Sequence, residues 1–128
     1  GKINLDKSNI SIDKIGLLTL SQSKLILKDN NLLFNGDFNL SIKNSNSFFS
    51  FFQTFKDIRK PIKNISFNLD VNFLTNKLRI NNFKIDNVNS SNEMKRVLND
   101  FNNSKNQKIY NMIVFKSLVN KIFTAYVG

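Results

Sequence analysis

NLLFNGDFNLSIK, residues 31–43, and NISFNLDVNFL, residues 64–74, decide how this chain folds. In the first, Leu32, Phe34, Phe38, Leu40 and Ile42 hold the even positions, with Gly36 in the same parity, and Asn35, Asp37, Asn39, Ser41 and Lys43 lie beside them. In the second, Ile65, Phe67, Leu69, Val71 and Phe73 hold the odd positions, opposite Ser66, Asn68, Asp70 and Asn72. A period of two in sequence rich in Phe, Ile and Val predicts strands with one buried and one wet face. Strands of that kind belong to antiparallel sheets. Asn35-Gly36 is also a strong hairpin signal. A turn there would leave only Leu32–Phe34 as its first strand, because Asp29-Asn30-Asn31 is itself a turn, and parity is kept across the pair. The reading adopted is one continuous strand with a glycine kink.

Three further strands alternate less regularly. Residues 2–13 carry Ile3 and Leu5, then Ile10 and Ile12 in the other parity, which predicts a bulge or bend near Lys7–Asn9. Residues 16–28 carry Leu18 and Leu20, then Leu25 and Leu27, switching across Ser21–Ser23, and residues 77–86 carry Leu78 and Ile80, then Phe83 and Ile85. Polar breaks at Asp13–Gly16, Lys28–Asn31 and Thr75–Asn76 predict hairpin connections, so consecutive strands pair as a meander. At about 3.3 Å per residue the longer strands span roughly 36–43 Å, which suits a wide, curved sheet.

Helical period appears three times. Residues 46–58 place Phe48, Phe51, Phe52 and Phe55 on one stripe, broadened by Phe49 and Ile58, with N-caps among Ser45–Ser47 and Pro61 as a stop. Residues 91–102 align Met94, Val97, Leu98 and Phe101 behind Ser90 or Ser91, and residues 108–127 align Met112, Phe115, Val119, Ile122 and Tyr126. Asn102–Gln107 reads as a polar connection. The expected fold is therefore α+β in a single domain: a long-stranded antiparallel meander of about five strands, one inserted amphipathic helix and two C-terminal helices. Residues 1–44 form three strands, 45–60 the inserted helix, 61–88 a β-hairpin and 89–128 the closing helices. The chain opens on Gly1 without an initiator methionine, so it is expected to be a fragment of a longer protein.

The 128 residues contain no cysteine and no histidine. Disulfides, thiolate metal sites, cysteine nucleophiles and imidazole bases are absent with them. The nine acidic residues are scattered, with no facing carboxylate pair singled out. Asp29–Asn31 starts like a calcium loop, but Leu33 takes a ligand position and no glutamate closes it. Four isolated glycines make no phosphate cradle. A non-enzymatic protein without cofactor or metal is the expectation. No segment reaches the roughly 18 to 20 apolar residues of a membrane span.

The formal charge is +10, normally a pointer to nucleic acid or anionic membrane. Yet 23 asparagines, 16 lysines and 14 isoleucines against one alanine, Ala125, describe an AT-biased codon usage, which turns much of that charge into background. The remainder is local. Residues 1–55 carry a net +2 and residues 56–128 a net +8. Lys56, Arg59, Lys60 and Lys63 cluster directly behind the phenylalanine stripe. They suit either a solvated helix end or a contact to phosphate headgroups or an acidic partner, aided by an aromatic face able to enter a bilayer surface. Nucleic acid is the weaker reading, since no aromatics interleave with these cations on a recognisable reading module. The sheet's apolar face has two possible fates: covered by the chain's own helices, or partly open as a groove for acyl chains.

The runs LLTLSQSKLILKDNNLLFNGDFNLSIKNS and FFSFFQTFKDIRKPIKNISFNLDVNFLTNKLRINNFKID resemble the C-terminal region of bacterial AsmA-like proteins, relatives of TamB-type and bridge-like lipid transfer proteins. The likeness covers about residues 1–90. It rests on strand texture through Asn35-Gly36, the aromatic helix leading into Arg59-Lys60-Pro61, and the hairpin that follows. The resemblance implies a Gram-negative periplasmic protein, anchored in the inner membrane by a segment outside this chain. It further implies a curved sheet whose apolar face carries phospholipid or supports outer-membrane biogenesis. On it, Leu32, Phe34, Phe38, Leu40, Ile42, Ile65, Phe67, Leu69, Val71 and Phe73 would line the groove or core. Phospholipid acyl chains and an anionic membrane surface or envelope protein are the partners expected. A protein-interaction module with a closed core and a basic polyanion binder are the alternatives.

Overall fold

The alternating segments pair into one antiparallel sheet in the computed structural model, which describes residues 1–5, 7–104 and 111–128. Its strands are β1 (Lys2–Leu5), β2 (Ser8–Ile12), β3 (Gly16–Lys28), β4 (Asn31–Ile42), β5 (Asn64–Asn72), β6 (Lys77–Ile85) and β7 (Val88–Asn89). The helices are α1 (Ser45–Phe51), α2 (Asn92–Asn102) and α3 (Met112–Val127), with a single 3-10 turn at Lys56–Ile58. The sheet runs β1-β3-β4-β5-β6-β7, and β2 lies beside β3 as well. The fold is α+β with a meander-like sheet, as the periodicity predicts. It has seven strands where about five are expected.

The extra strands have physical causes. β1 and β2 keep one register against β3, from Lys2 opposite Ile26 to Ile12 opposite Gly16, so together they make one long partner interrupted opposite Ser21 and Gln22. There β3 itself bulges against β4: Ser21 faces Asp37 but Lys24 faces Asn35, and Gln22 sits at a φ of 47°. One inserted residue flips parity in both strands, which is why their alternation switches at the same level. β6 repeats the device. Its register slips between Ser66 and Asn68 of β5, with Asn82 at a φ of 52°, and the switch from Ile80 to Phe83 follows. β7 is the short return of a tight hairpin through Asp86 and Asn87, both left-handed, pairing Val88 with Ile85.

Six of nine left-handed non-glycine positions among the described residues are Asn or Asp, and no described glycine has a positive φ. These side chains tolerate that conformation best after glycine. Part of the asparagine excess is therefore turn chemistry. β4 runs unbroken through Asn35-Gly36, as expected, and pairs with β5 in one register from Leu33 opposite Asn72 to Ser41 opposite Asn64. On the wet face, the Asn68 amide donates to Asn35 Oδ1 at 3.0 Å and Asp37 Oδ1 at 2.8 Å, and Asn81 Nδ2 reaches Asp70 Oδ2 at 2.9 Å. These cross-strand bonds tie β4, β5 and β6 together.

The three helices stand on the apolar face. Phe48 and Phe49 of α1 meet Phe123 of α3 edge-on at 5.5 and 5.2 Å, and Met94 and Leu98 of α2 join the same buried core. α1 ends at Phe51, well short of the expected span to residue 58. Asn120 of α3 causes the stop: its Nδ2 donates to the Phe52 carbonyl at 2.8 Å, and its Oδ1 accepts from the buried Thr54 hydroxyl. Gln53, at a φ of 55°, turns the chain away. The cap of α1 is Asn44, whose Oδ1 accepts from Ser47 N, while Ser91 caps α2. Residues 105–110, holding half of the expected polar connection and the start of the third helix, lie outside the described residues.

Candidate functional site

Register places nine of the ten predicted face residues on one side of β4 and β5, and the tenth, Phe73, follows β5 in a turn with its N–H donating to the Leu32 carbonyl at 3.0 Å. Phe34 lies opposite Val71, Phe38 opposite Phe67 and Leu40 opposite Ile65. Their environments nevertheless divide along the strands. Ile65 is buried, and Leu40, Ile42 and Phe67 pack onto the helical core. Phe34, Phe38, Leu69 and Val71 are half-buried, whereas Leu32 and Phe73 are exposed. An aromatic ribbon crosses the middle of the face, with Phe38 and Phe67 stacked at 5.4 Å and Phe67 and Phe83 at 6.3 Å. Phe34 and the Leu20 side chain fold over Gly36, where a Cβ would meet each at 2.8 Å. The missing Cβ at Gly36 thus leaves room for these two side chains.

Beyond that ribbon the apolar face continues without helical cover. Ile3 and Leu27 are each 61% exposed, and Leu5, Leu32 and Phe73 also stand open, while Ile10, 60% exposed, lies on the near side of the ribbon at the β2 edge, level with Leu18 and Leu40. Pairing of Ile3 with Leu25, and of Leu27 with Leu32, places these residues on the same side as the face of β4. Ile3, Leu5, Ile10 and Leu27 fall outside the ten predicted residues, although the parity switches at Lys7–Asn9 and Ser21–Ser23 are the signal that aims them there. Within the strip, Ser23 is 3% exposed and its hydroxyl has no hydrogen-bond partner among the described residues.

A cleft of about 570 Å³ opens at the hairpin end of the sheet, lined in part by Phe34, Val71, Leu78, Arg79 and Asn102. Asn102, the last residue of α2, accepts from Ile80 N at 2.8 Å and donates to Ile80 O at 2.9 Å. Its side-chain amide occupies the outer edge of β6 much as a neighbouring strand would, which blunts that edge. At the other side of the sheet, β1 and β2 have no strand beyond them among the described residues.

The basic residues serve different ends. Arg59 is committed to the chain's own turn, its Nε donating to the Thr54 carbonyl at 2.9 Å and its Nη1 to Ser50 Oγ at 3.5 Å. Lys60 Nζ lies 4.7 Å from the centroid of the Tyr126 ring. Lys63 holds Asp86 Oδ1 through its backbone N–H at 2.7 Å, leaving its exposed side chain out of that bond, and Lys56 is exposed on the 3-10 turn. Since α1 stops at Phe51, none of the four sits on its last turn, so the helix-end placement expected for them does not arise. Among the described residues no three acidic, histidine or cysteine side chains gather to hold a metal, and no helix is long and apolar enough to cross a membrane. No family model, curated protein or solved structure matches the chain.

Proposed function

We propose that this domain is a non-enzymatic acyl-chain-binding segment of an AsmA-like envelope protein, contributing to phospholipid transport or outer-membrane biogenesis in the periplasm. The observation that carries the reading is the open strip, where five large hydrophobic residues, Ile3, Leu5, Leu27, Leu32 and Phe73, stand exposed on the same sheet face that the helices cover at its other end. A soluble domain gains nothing from water on such a surface, and a contiguous exposed apolar patch marks a binding site. Each methylene of an acyl chain desolvated there contributes about 0.8 kcal/mol, so binding needs contact length and no dedicated polar pocket. The strip is built for sliding contact, with side chains from β1, β3, β4 and the turn after β5 forming its floor.

The test is native mass spectrometry of protein purified from a bacterial host without detergent. Phospholipid is expected to co-purify, and Leu27→Asp with Leu32→Asp is expected to release it while the far-UV circular dichroism stays unchanged. Lipid-free protein that also takes up no labelled phospholipid from vesicles would refute the reading. A second reading, an interaction module, draws on the free β1 and β2 edge, which offers backbone groups for an added strand.

A further inference from the structure

The helical layer has an uneven outer surface. Phe55 and Ile113 are each 79% exposed, and Phe51 and Met112 are 45% and 49% exposed. α1, the turn behind it and the first half of α3 share one seam: Lys116 Nζ lies 5.3 Å from the Phe51 ring, Phe52 packs on Phe115 at 5.5 Å, and Asn120 holds the Phe52 carbonyl. Ile113, Lys116 and Asn120 form one stripe of α3 along that seam, and Phe55 adjoins Thr54, which Asn120 also binds. Exposed aromatic and aliphatic side chains thus flank a lysine on two elements that are locked together.

Charge is concentrated on the same elements. Residues 45–63 and 111–128 carry six cations against one acid, Asp57. α2, in the same layer, balances Glu93 and Asp100 against Lys95 and Arg96 and has no exposed large hydrophobic residue. Codon bias raises lysine everywhere, so it does not explain why unbalanced cations and exposed apolar groups coincide on α3 and the turn behind α1, while α2 balances its cations with acids and exposes no large hydrophobic residue. Exposed Phe and Ile ringed by excess cations fit a surface that is apolar beneath and negative on top.

We infer that the α1–α3 seam, with Phe51, Phe55, Met112 and Ile113 as shallow anchors and Lys56 and Lys116 as headgroup contacts, docks on an anionic phospholipid bilayer. This surface is separate from the open strip and does not depend on the strip carrying lipid. The helices stand on the apolar side of the sheet, so docking through them brings a bilayer to the side on which the strip is open.

The chain contains no tryptophan, so F55W and L27W each create a single indole reporter, one on the seam and one on the strip. With phosphatidylcholine vesicles containing phosphatidylglycerol, F55W emission is expected to shift to the blue and to be quenched by brominated acyl chains. Phosphatidylcholine alone should produce neither effect. Added K116Q should weaken partitioning about fivefold, the worth of one lysine at an anionic surface. An unchanged F55W emission with anionic vesicles, or equal binding to neutral ones, overturns the inference. If L27W shifts and F55W stays silent, the acyl-chain reading survives and the docking surface does not. The reverse result supports docking and removes the strip.

Discussion

Ile85→Ala and Leu27→Ala delete the same three carbons from opposite ends of one apolar sheet face, and their costs should differ about threefold. Ile85 is 1% exposed, beneath the helices. Its truncation forfeits about 0.8 kcal/mol per methylene, or about 2.4 kcal/mol, before the cavity is counted. The cavity term brings the total to about 3–4 kcal/mol, because strand and helix partners relax only partly. Leu27 is 61% exposed, so the same deletion forfeits about 1 kcal/mol and leaves no cavity. Urea titration of delipidated protein, followed by far-UV circular dichroism, measures both. The slopes should match wild type while the midpoints separate. Costs within about 0.5 kcal/mol of each other would refute the divided face, since they would mean that both ends sit in equivalent surroundings. A Leu27→Ala cost above about 2 kcal/mol would show that the chain covers the strip in solution.

Two glycines should respond differently to alanine. At Gly16 a Cβ would run into the Ser41 carbonyl oxygen, rigid backbone of the paired strand, so Gly16→Ala is expected to cost about 2–3 kcal/mol. At Gly36 the obstructing atoms are the flexible ends of Leu20 and Phe34, and about 1 kcal/mol is expected; equal costs in thermal denaturation would contradict the packing described. Ser23→Ala removes a buried hydroxyl that has no partner among the described residues and should stabilise the fold by about 1 kcal/mol, measured by the same urea titration; a loss of stability would mean the hydroxyl is bonded.

Much of the sheet was legible because alternation reports parity directly. Leu40 opposite Ile65 and Phe38 opposite Phe67 follow from the same-face pattern once two strands pair, and the broken parity at Ser21–Ser23 located a real bulge. Coverage is another matter. Leu32 and Leu40 have the same parity and similar chemistry, yet one is exposed and the other packs on the core, because helix placement decides it. The end of α1 was hidden for a related reason. Phe51 and Phe55 extend a good helical stripe, but the stop comes from Asn120, 68 residues from the carbonyl it binds, and no local signal encodes that contact. β7 escaped because two residues carry no measurable period, although Asp86-Asn87 is a turn pair of the right kind.

Asn35-Gly36 sits in the middle of β4, and that placement governs how the protein ages. An asparagine followed by glycine is chemically fragile, because the glycine amide nitrogen can attack the side-chain carbonyl, close a succinimide and shed ammonia. The attack requires the backbone to rotate out of its extended form. Here Gly36 is held opposite Leu69, and the Asn35 amide donates to Asn68 at 2.9 Å and Asp70 at 2.6 Å, so the reacting groups are kept apart while the sheet is intact. Conversion of Asn35 through the succinimide to isoaspartate and aspartate is therefore paced by strand opening. The lesion records, one molecule at a time, how often the centre of the sheet has come apart.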